Sequence, residues 1–370
     1  MAEIKIPQEL LPQDGRFGCG PSRMRKAQLD AFFAAGVKLM GTSHRQAPIK
    51  NLVGEIQEGL LQLFHNPAGY EIVLGNGGST AFWDVAAFSL AEGKTQALVH
   101  GEFGAKFANA LKAPFLEEPE IIKAEPGSRK ELVGTEGVKT YVYPQNETST
   151  GVVAEVKRVA SDDDAIFLTD ATSAAGGIDF DPHQTDVYYF APQKNFASDG
   201  GIWFALVSPK AIERCERIAS SSRYIPEFLS LKTALDNSRL NQTLNTPAIA
   251  TLFLLNEQVK YINEQGGLAW ADKQTRGASK IIYDWVDQSS YASAFVTEPA
   301  HRSQVVATID FKDGLDANQV IQVLRGNGIV DTDSYRKLGR NQIRIATFVN
   351  SDLGDVQKLT QAIDYVVERL

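Results

Sequence analysis

Residues 165–195 read AIFLTDATSAAGGIDFDPHQTDVYYFAPQKN and contain two short apolar runs, each followed by a charged residue. Asp170 directly follows the first run, and Lys194 lies four residues beyond Phe190, where the second run ends. Apolar runs of this length are typical of strands that are buried on both faces of a parallel sheet. The carboxyl ends of such strands meet at one edge, where open α/β sheets bind ligands. The stretch therefore predicts a ligand crevice with Asp170 and Lys194 at its rim.

Asp170 and Lys194 are both unusual residues for such a place. A carboxylate at the end of a buried strand is desolvated unless it is paired, and it could hold the protonated pyridine nitrogen of pyridoxal phosphate. A lysine ammonium normally lies at the surface. Beside a positive ring and apolar walls its pKa falls, which makes the amine a nucleophile. Alone, Asp170 could cap a turn and Lys194 could be solvated, but together they favour a pyridoxal-phosphate site.

A glycine-rich turn lies upstream of these residues. The apolar run 71–74 leads into Gly75-Asn76-Gly77-Gly78-Ser79-Thr80, after which the pattern becomes helical. Glycine allows the backbone to approach a ligand closely, and the first amides of the following helix are free to bind a phosphate. Tight turns of this kind also occur without a ligand. The motif by itself therefore leaves phosphate binding and a plain turn equally open.

Apolar periodicity predicts the remaining architecture. Strands near 96–100, 140–143, 165–169, 186–190 and 202–207, separated in part by helices, predict an α/β fold with a mainly parallel, helix-covered sheet. Strands at 304–311 and 342–347, with helices near 316–325 and 353–370, predict a smaller α+β unit. We expect an N-terminal arm and large cofactor-binding domain over residues 1–260, and a small C-terminal domain over residues 261–370.

Composition argues against several classes of function. The net charge of -8 is spread along the 370 residues, so we expect neither a nucleic acid nor an anionic membrane as a partner. Cys19 and Cys215 are the only cysteines and form no CxxC motif, which argues against disulfides and structural zinc. We therefore predict no metal. The sequence has no signal-peptide pattern and no long apolar span, so we expect a soluble, cytoplasmic protein.

The chain resembles the phosphoserine aminotransferases, fold-type I pyridoxal-phosphate enzymes of the class V aminotransferase group. The resemblance extends from Phe17 to Phe348. It rests on these motifs: Phe17-Gly18-Cys19-Gly20-Pro21, Ser43-His44-Arg45, Gly77-Gly78-Ser79, Asn146-Glu147-Thr148, Asp170, Gln193-Lys194-Asn195, Asn245-Thr246-Pro247 and Arg344. The Ser-His-Arg, Gln-Lys-Asn and Asn-Thr-Pro motifs are specific to the subfamily, whereas Asp170 and Lys194 mark only the superfamily.

The resemblance implies a role for each matching residue. The cofactor, pyridoxal 5'-phosphate, would be bound as a Schiff base by Lys194, with Asp170 at its ring nitrogen. Its phosphate would be held by Gly78, Ser79 and Gln193, together with Asn245 and Thr246 from the second subunit of a homodimer. Thr148 would lie at the ring oxygen and Phe103 over the ring face. Arg344 would bind the substrate α-carboxylate, and the distal phosphate would lie among His44, Arg45 and Arg336.

The implied reaction moves an amino group between glutamate and 3-phosphohydroxypyruvate, giving 2-oxoglutarate and O-phospho-L-serine in serine biosynthesis. A side activity in pyridoxine biosynthesis stays open. The alternatives are another class V enzyme, such as an alanine–glyoxylate aminotransferase or a cysteine desulfurase, and a non-catalytic binding protein of the same fold. Neither cysteine suits a desulfurase, and retention of Lys194, Asp170 and Gln193 argues against lost catalysis. The anion site at Ser43-His44-Arg45 would be superfluous for small substrates.

Three positions depart from the common pattern of this family. Many members have tryptophan in place of Phe103, arginine or alanine in place of Ser79, and histidine in place of Tyr335. A phenylalanine ring can still stack on the cofactor, and a serine hydroxyl can still bind phosphate. Tyr335 removes a positive charge from the predicted phosphate pocket, so its role is open.

Arg45 precedes a helix start, where its charge opposes the helix dipole unless an anion is bound. His44 fits either a ligand or a buried polar residue.

Overall fold

The computed structural model describes residues 4–370 of the chain. Its helices are Lys26–Ala34 (α1), Ala47–Leu63 (α2), Ser79–Ser89 (α3), Glu102–Ala110 (α4), Pro209–Ala219 (α5), Leu231–Ser238 (α6), Ile249–Gln265 (α7), Gly267–Gln288 (α8), Ala317–Gly326 (α9) and Leu353–Val367 (α10). Its strands are Glu71–Asn76 (β1), Lys94–Val99 (β2), Glu120–Lys123 (β3), Val138–Pro144 (β4), Asn146–Glu147 (β5), Val152–Val153 (β6), Ile166–Asp170 (β7), Val187–Phe190 (β8), Ile202–Val207 (β9), Ala292–Ala294 (β10), Val306–Phe311 (β11) and Gln342–Ala346 (β12).

The large sheet has the order β1-β9-β8-β7-β4-β2-β3. Strand β9 runs antiparallel to both of its neighbours, and the remaining strands run parallel to one another. Every residue of β7, β8 and β9 is buried, which explains their nearly continuous apolar sequences. The predicted α/β fold with a mainly parallel sheet is confirmed. The reversed direction of β9 was not part of the prediction.

Helix α2 illustrates how the sheet is covered. Its buried residues recur at helical spacing, so one face of the helix is apolar; they are Ile49, Leu52, Val53, Ile56, Leu60 and Leu63. Leu52 and Leu60 share a core with Leu74 of β1 and Leu252 of α7. Burial of such side chains stabilises the fold by about 1.5–3 kcal/mol each. Within residues 4–370 there is no helix with the length and apolarity needed to cross a bilayer.

The second unit is an antiparallel sheet of β10, β11 and β12 that shares a core with residues of α8, α9 and α10. Ile6 and Phe17, near the start of the chain, are buried in the same core. Gly266, with a φ of 122°, separates α7 from α8 and adopts a conformation that favours glycine. The domain boundary at residues 260 and 261 stays a prediction.

Candidate active site

Asp170 and Lys194 converge because their strands are neighbours. Asp170 ends β7 and pairs with Tyr189 of β8, and the chain continues from β8 to Lys194. The Nζ atom of Lys194 donates a hydrogen bond to the carbonyl oxygen of Cys19. Burial lowers the pKa of Lys194 to about 8, although Cys19 and Asp170 oppose this shift and Arg344 adds to it. A neutral amine is therefore accessible near neutral pH, as a nucleophile requires.

The Asp170 side chain is only 5% exposed and is held by three donors. Oδ1 accepts bonds from the backbone N–H of Thr172 at 2.9 Å and from its hydroxyl at 2.6 Å. Oδ2 accepts one bond, from Nε1 of Trp83 at 3.3 Å. Since a carboxylate oxygen has two lone pairs, Oδ2 can accept a further N–H donor. The carboxylate is thus fixed in orientation but not saturated.

The glycine turn forms a cradle between β1 and α3. Gly77 has a φ of 112° and donates its N–H to the carbonyl oxygen of Gly201 at 2.9 Å. A Cβ atom on Gly77 would lie 2.6 Å from Cβ of Ala81, whereas one on Gly78 would meet no described atom within 4 Å. Gly78 is the N-cap of α3 and no side chain caps the helix there, so the first amides of the helix remain available as donors. This arrangement suits a phosphate.

Side chains beside the cradle add polar groups. The hydroxyl oxygens of Ser79 and Thr172 lie 2.6 Å apart, which links the turn to the Asp170 loop. The Oε1 atom of Gln193 is buried and has no hydrogen-bond partner among the described residues. A buried polar atom without a partner is unfavourable, so a ligand donor at this position would stabilise the structure.

Thr148 and Phe103 lie on adjoining segments held by a buried carboxylate. The Thr148 hydroxyl donates to Oγ of Ser173 at 2.9 Å. The Glu147 side chain accepts bonds from the backbone N–H groups of Phe103 at 3.1 Å and Gly104 at 3.0 Å, and from the Ser149 hydroxyl at 2.6 Å. Burial raises the pKa of Glu147, and these bonds oppose the shift. Glu147 therefore joins the Thr148 loop to the beginning of α4.

Arg344 projects from β12 towards the same region. Its Nη1 atom donates to the carbonyl oxygen of Thr148 at 3.0 Å, and its Cζ atom lies 5.4 Å from the ring centroid of Tyr335. The Nε atom is buried and has no partner within residues 4–370. A carboxylate could use that donor, since the guanidinium fork matches carboxylate geometry.

A second cluster contains His44, Arg45 and Thr246. Nδ1 of His44 lies 3.3 Å from the Thr246 hydroxyl, and Nη1 of Arg45 donates to Oε1 of Gln242 at 3.2 Å. Burial, and then the charge of Arg45, lowers the pKa of His44. The backbone N–H of Asn245 lies 3.3 Å from Oδ1 of Asn76, the residue before Gly77. The side chains of this cluster form no hydrogen bond to Lys194 or Asp170 in the described chain.

Arg336 stands apart from the second cluster. It begins a 3-10 turn, Arg336–Leu338, and its side chain is exposed. It forms no ion pair with any residue in the range 4–370. The structure of one chain therefore brings Lys194, Asp170, Gly78, Ser79 and Gln193 to one edge of the sheet. It does not join Arg336 to His44 and Arg45.

Comparison with known proteins identifies the family and the fold of the chain. A family model described as aminotransferase class-V matches residues 26–332. A phosphoserine aminotransferase from Nocardioides sp. is 55% identical over 99% of both chains. The crystal structure of a phosphoserine aminotransferase from Cytophaga hutchinsonii has a TM-score of 0.89 at 22% identity, covering 96% of this chain and 99% of that chain. A PLP-bound phosphoserine aminotransferase from Trichomonas vaginalis has a TM-score of 0.80 at 18% identity, covering 95% and 100%. The two solved structures establish the fold.

The chain belongs to the class-V aminotransferase family. It is an aminotransferase that depends on pyridoxal phosphate, as the sequence predicted. The site of this aminotransferase fits that cofactor in three respects. It has a partly buried amine with a lowered pKa, a carboxylate with a free lone pair, and an open glycine cradle beside Gln193 Oε1, which has no partner within residues 4–370.

Several residues of the aminotransferase site were not assigned a role from sequence. Trp83 and Thr172 orient the Asp170 carboxylate, and Glu147 caps α4. A signal existed for Thr172, because a hydroxyl residue two positions after an aspartate is typical of a turn closed by that aspartate. Trp83 lies four residues after Ser79, so a helical reading places it on the face of Ser79. The Glu147 contacts depend on tertiary packing and give no local signal.

Proposed function

We propose that this aminotransferase exchanges an amino group between glutamate and 3-phosphohydroxypyruvate, giving 2-oxoglutarate and O-phospho-L-serine. The observation that carries the proposal is the relative from Nocardioides sp. named phosphoserine aminotransferase, which is 55% identical over 99% of this chain. Arg344 and the His44–Arg45 cluster support it, because both substrates carry an α-carboxylate and a distal anion. A role in serine biosynthesis follows, with the cytoplasm as its proposed location.

Pyridoxal phosphate, when bound, supplies an electron sink that stabilises negative charge on the substrate α-carbon. We assign Lys194 as the residue that binds it and Asp170 as the partner of its ring nitrogen. Asp170 is held by Trp83 and Thr172, so its charge is presented in one direction. Gly78, Ser79 and Gln193 would hold the phosphate in the cradle at the start of α3. Thr148 would bind the ring oxygen, and Phe103 would cover the ring face.

Lys194 would also act as the general base and acid of the reaction. With a pKa of about 8, its Nζ atom can exist as the neutral amine near neutral pH and accept the proton from the substrate α-carbon. The protonated amine can then return a proton in the same cleft.

Substrate orientation would depend on two separate anion sites. Arg344 would bind the α-carboxylate through Nε and a second guanidinium nitrogen, since Nε has no protein partner in the described chain. The distal phosphate or carboxylate would bind to His44, Arg45 and Arg336. Arg45 is exposed, and its side chain has only the neutral Gln242 as a hydrogen-bond partner in residues 4–370, so its charge is available.

A homodimer would complete the site. Asn245 and Thr246 are exposed in one chain and share a cluster with His44 and Arg45. In the segment just before His44, Phe33 is 74% exposed, and Val37 and Met40 are about half exposed. Exposed apolar groups of this kind are typical of a surface that is covered by another subunit. We therefore propose that Asn245 and Thr246 reach the cofactor phosphate of the partner chain.

A cysteine desulfurase fits the structure poorly. Burial raises the pKa of the Cys19 thiol, and it raises that of Cys215 to about 12. Both cysteines are buried, whereas a reactive cysteine must be accessible as a thiolate.

A substrate panel would test the proposal. The enzyme loaded with pyridoxal phosphate should transfer the amino group of O-phospho-L-serine to 2-oxoglutarate with far higher kcat/KM than that of serine or alanine. The reverse assay compares 3-phosphohydroxypyruvate with glyoxylate and pyruvate as acceptors. Preference for glyoxylate or pyruvate would overturn the assignment in favour of another class V aminotransferase. A phosphorylated 4-hydroxythreonine in the same panel would test the side activity in pyridoxine biosynthesis.

A further inference from the structure

Residues 331–339, here called the crossing segment, precede β12 of the small sheet and contact the beginning of α4. Nζ of Lys337 lies 2.5 Å from Oε1 of Glu102, the first residue of α4. The ring of Tyr335 lies edge-on to the ring of Phe103, the second residue of α4, with the centroids 6.1 Å apart at 61°. Lys337 and Tyr335, two positions apart, thus make an ionic and an aromatic contact with the adjacent residues Glu102 and Phe103.

Tyr335 contacts Arg344 as well as Phe103. The guanidinium carbon of Arg344 lies 5.4 Å from the Tyr335 ring centroid, a distance at which cations are attracted to an aromatic face. The backbone also joins the two, because the N–H of Arg344 donates to the carbonyl oxygen of Thr332 at 3.0 Å. The Arg344 side chain is therefore held by the Tyr335 ring and by the carbonyl oxygen of Thr148, while its Nε atom stays free.

An arginine held in this way binds a carboxylate more tightly than a mobile one. Its long side chain loses considerable rotamer freedom when it is ordered, and a fixed guanidinium has already lost that freedom before the substrate binds. Tyr335 can fix Arg344 only while the crossing segment stays against α4. The Lys337 side chain is 68% exposed, so its bond to Glu102 is a weak surface pair that supports the aromatic contact.

We infer that Tyr335 is a positioning residue: its ring holds Arg344 for the substrate α-carboxylate, and Lys337 keeps that ring in place by pairing with Glu102. The inference deepens the proposed function and rests on it for the role of Arg344. It also gives Tyr335 a function that needs the aromatic ring and not the hydroxyl. A phosphate ligand would instead need the hydroxyl as a donor.

Steady-state kinetics with O-phospho-L-serine and with glutamate would separate these roles. Tyr335→Ala should raise KM for both substrates about tenfold with little change in kcat, because both lose the same carboxylate contact before the reaction begins. Tyr335→Phe should restore both KM values to within about twofold, since it keeps the ring face. The absorbance of the bound cofactor should stay unchanged in both variants. If Tyr335→Phe raised KM for O-phospho-L-serine but not for glutamate, the inference would be overturned, and the hydroxyl would be assigned to the phosphate.

A double-mutant cycle tests the ionic contact. Lys337→Ala should raise both KM values about two- to fivefold, as expected for an exposed pair. The same change in a Glu102→Gln background should have no further effect, since the interaction is already lost. Arg340→Ala is the matched control, because Arg340 lies three residues beyond Lys337 and pairs with Asp310 of β11 rather than with α4. It should leave both KM values unchanged.

The outcomes distinguish this inference from the proposed function. If the unmodified enzyme does not transfer the amino group of O-phospho-L-serine, the proposed function fails, and the cycle is then measured with glutamate alone. If the unmodified enzyme is active but Tyr335→Ala and Lys337→Ala keep normal KM values, the positioning role fails. Equal effects of Lys337→Ala and Arg340→Ala would also overturn it, because the loss would then reflect general disturbance of the segment.

Discussion

The indole Nε1 of Trp83 donates a hydrogen bond to Oδ2 of Asp170 at 3.3 Å. This bond connects α3, the helix after the glycine cradle, to the end of β7. One side chain thus links two parts of the proposed cofactor site that are far apart in sequence. The 3.3 Å bond is longer than either bond to Oδ1, so it leaves Oδ2 as the less strongly held oxygen. We expect Oδ2 to face the ring nitrogen of the cofactor.

Asp170→Asn should retain the cofactor but lower kcat at least about 100-fold, because a neutral amide does not keep the ring nitrogen protonated. Trp83→Phe should have a smaller effect, since the carboxylate stays and only its orientation is loosened. The measurements are kcat and the visible absorbance of the loaded enzyme. An Asp170→Asn enzyme with normal kcat would show that the carboxylate does not act on the ring.

Lys194→Ala should abolish turnover and the covalent attachment of pyridoxal phosphate. Borohydride reduction followed by peptide mapping should place the cofactor on Lys194 in the unmodified enzyme. A label on any other lysine would refute the assignment.

The lowered pKa of Lys194 gives a pH prediction with a definite sign. Below about pH 8 the amine is mostly protonated and cannot attack, and above it the amine is neutral. Cofactor-free enzyme should therefore react with pyridoxal phosphate faster as the pH rises, with a midpoint near 8. The amide of lysine acetylated on its α-nitrogen, measured alongside, corrects for titration of the cofactor itself. Its free side-chain amine should give a midpoint near 10.5, the ordinary lysine value. Coincident midpoints would mean that burial does not alter this amine.

Arg45→Ala and Arg344→Ala should differ in which substrate they affect. Arg45→Ala should weaken productive binding of 3-phosphohydroxypyruvate by about 2–4 kcal/mol, with a smaller loss for glutamate, because a phosphate carries more charge than a carboxylate. Arg344→Ala should affect both substrates alike. The measurement is kcat/KM for each half-reaction, read as a transition-state free energy. Equal losses for both substrates in Arg45→Ala would argue against a phosphate-selective site.

Mixed dimers would test whether two chains share each site. Lys194→Ala chains and Asn245→Ala/Thr246→Ala chains should be inactive or weak alone. After random subunit exchange, half of the dimers are mixed and each has one intact site, so about a quarter of full activity should return. Exchange is verified with differently tagged chains. Full exchange without recovery would mean that each chain completes its own site.

Glu147→Gln should lower the free energy of unfolding by about 1–3 kcal/mol, since its amide would leave buried donors of α4 or Ser149 without an acceptor. Ser149→Ala is the milder control, because it removes one donor and leaves the acceptor in place. Denaturant unfolding of cofactor-free protein measures both. An unchanged stability in Glu147→Gln would show that the cap is dispensable.

The parts of the fold that depend on local pattern could be predicted from sequence. The apolar runs before Asp170 and Lys194 form β7 and β8, and the helix predicted near 316–325 is observed as α9, Ala317–Gly326. The direction of β9 could not be predicted, because a buried strand has the same apolar sequence in either direction. The burial of Phe17 against residues of α10 and β12 is a contact across more than 300 residues, for which periodicity carries no signal.

In the candidate site, too, some residues could be identified from sequence, whereas the contacts of others depend on distant parts of the chain. Asp170 and Lys194 were recognised because charged residues beside buried strands are rare. The contacts of Tyr335 could not be foreseen, since a tyrosine in a polar loop has no periodic pattern and its partners Phe103 and Arg344 lie on other elements.

The position of strand β9 has a consequence for the proposed cofactor site. The strand lies between β1, which leads into the glycine cradle, and β8, which leads to Lys194. Hydrogen bonds between peptide groups fix the spacing of strands, so β1 and β8, from which the two proposed attachment points continue, lie two such spacings apart, about 10 Å at the level of the backbone. A molecule with only a phosphate or only an aldehyde can reach one point. With the cradle and Lys194 as its proposed contacts, the cofactor would be selected in part by its length, and the side chains of the cleft would be free to select the substrate.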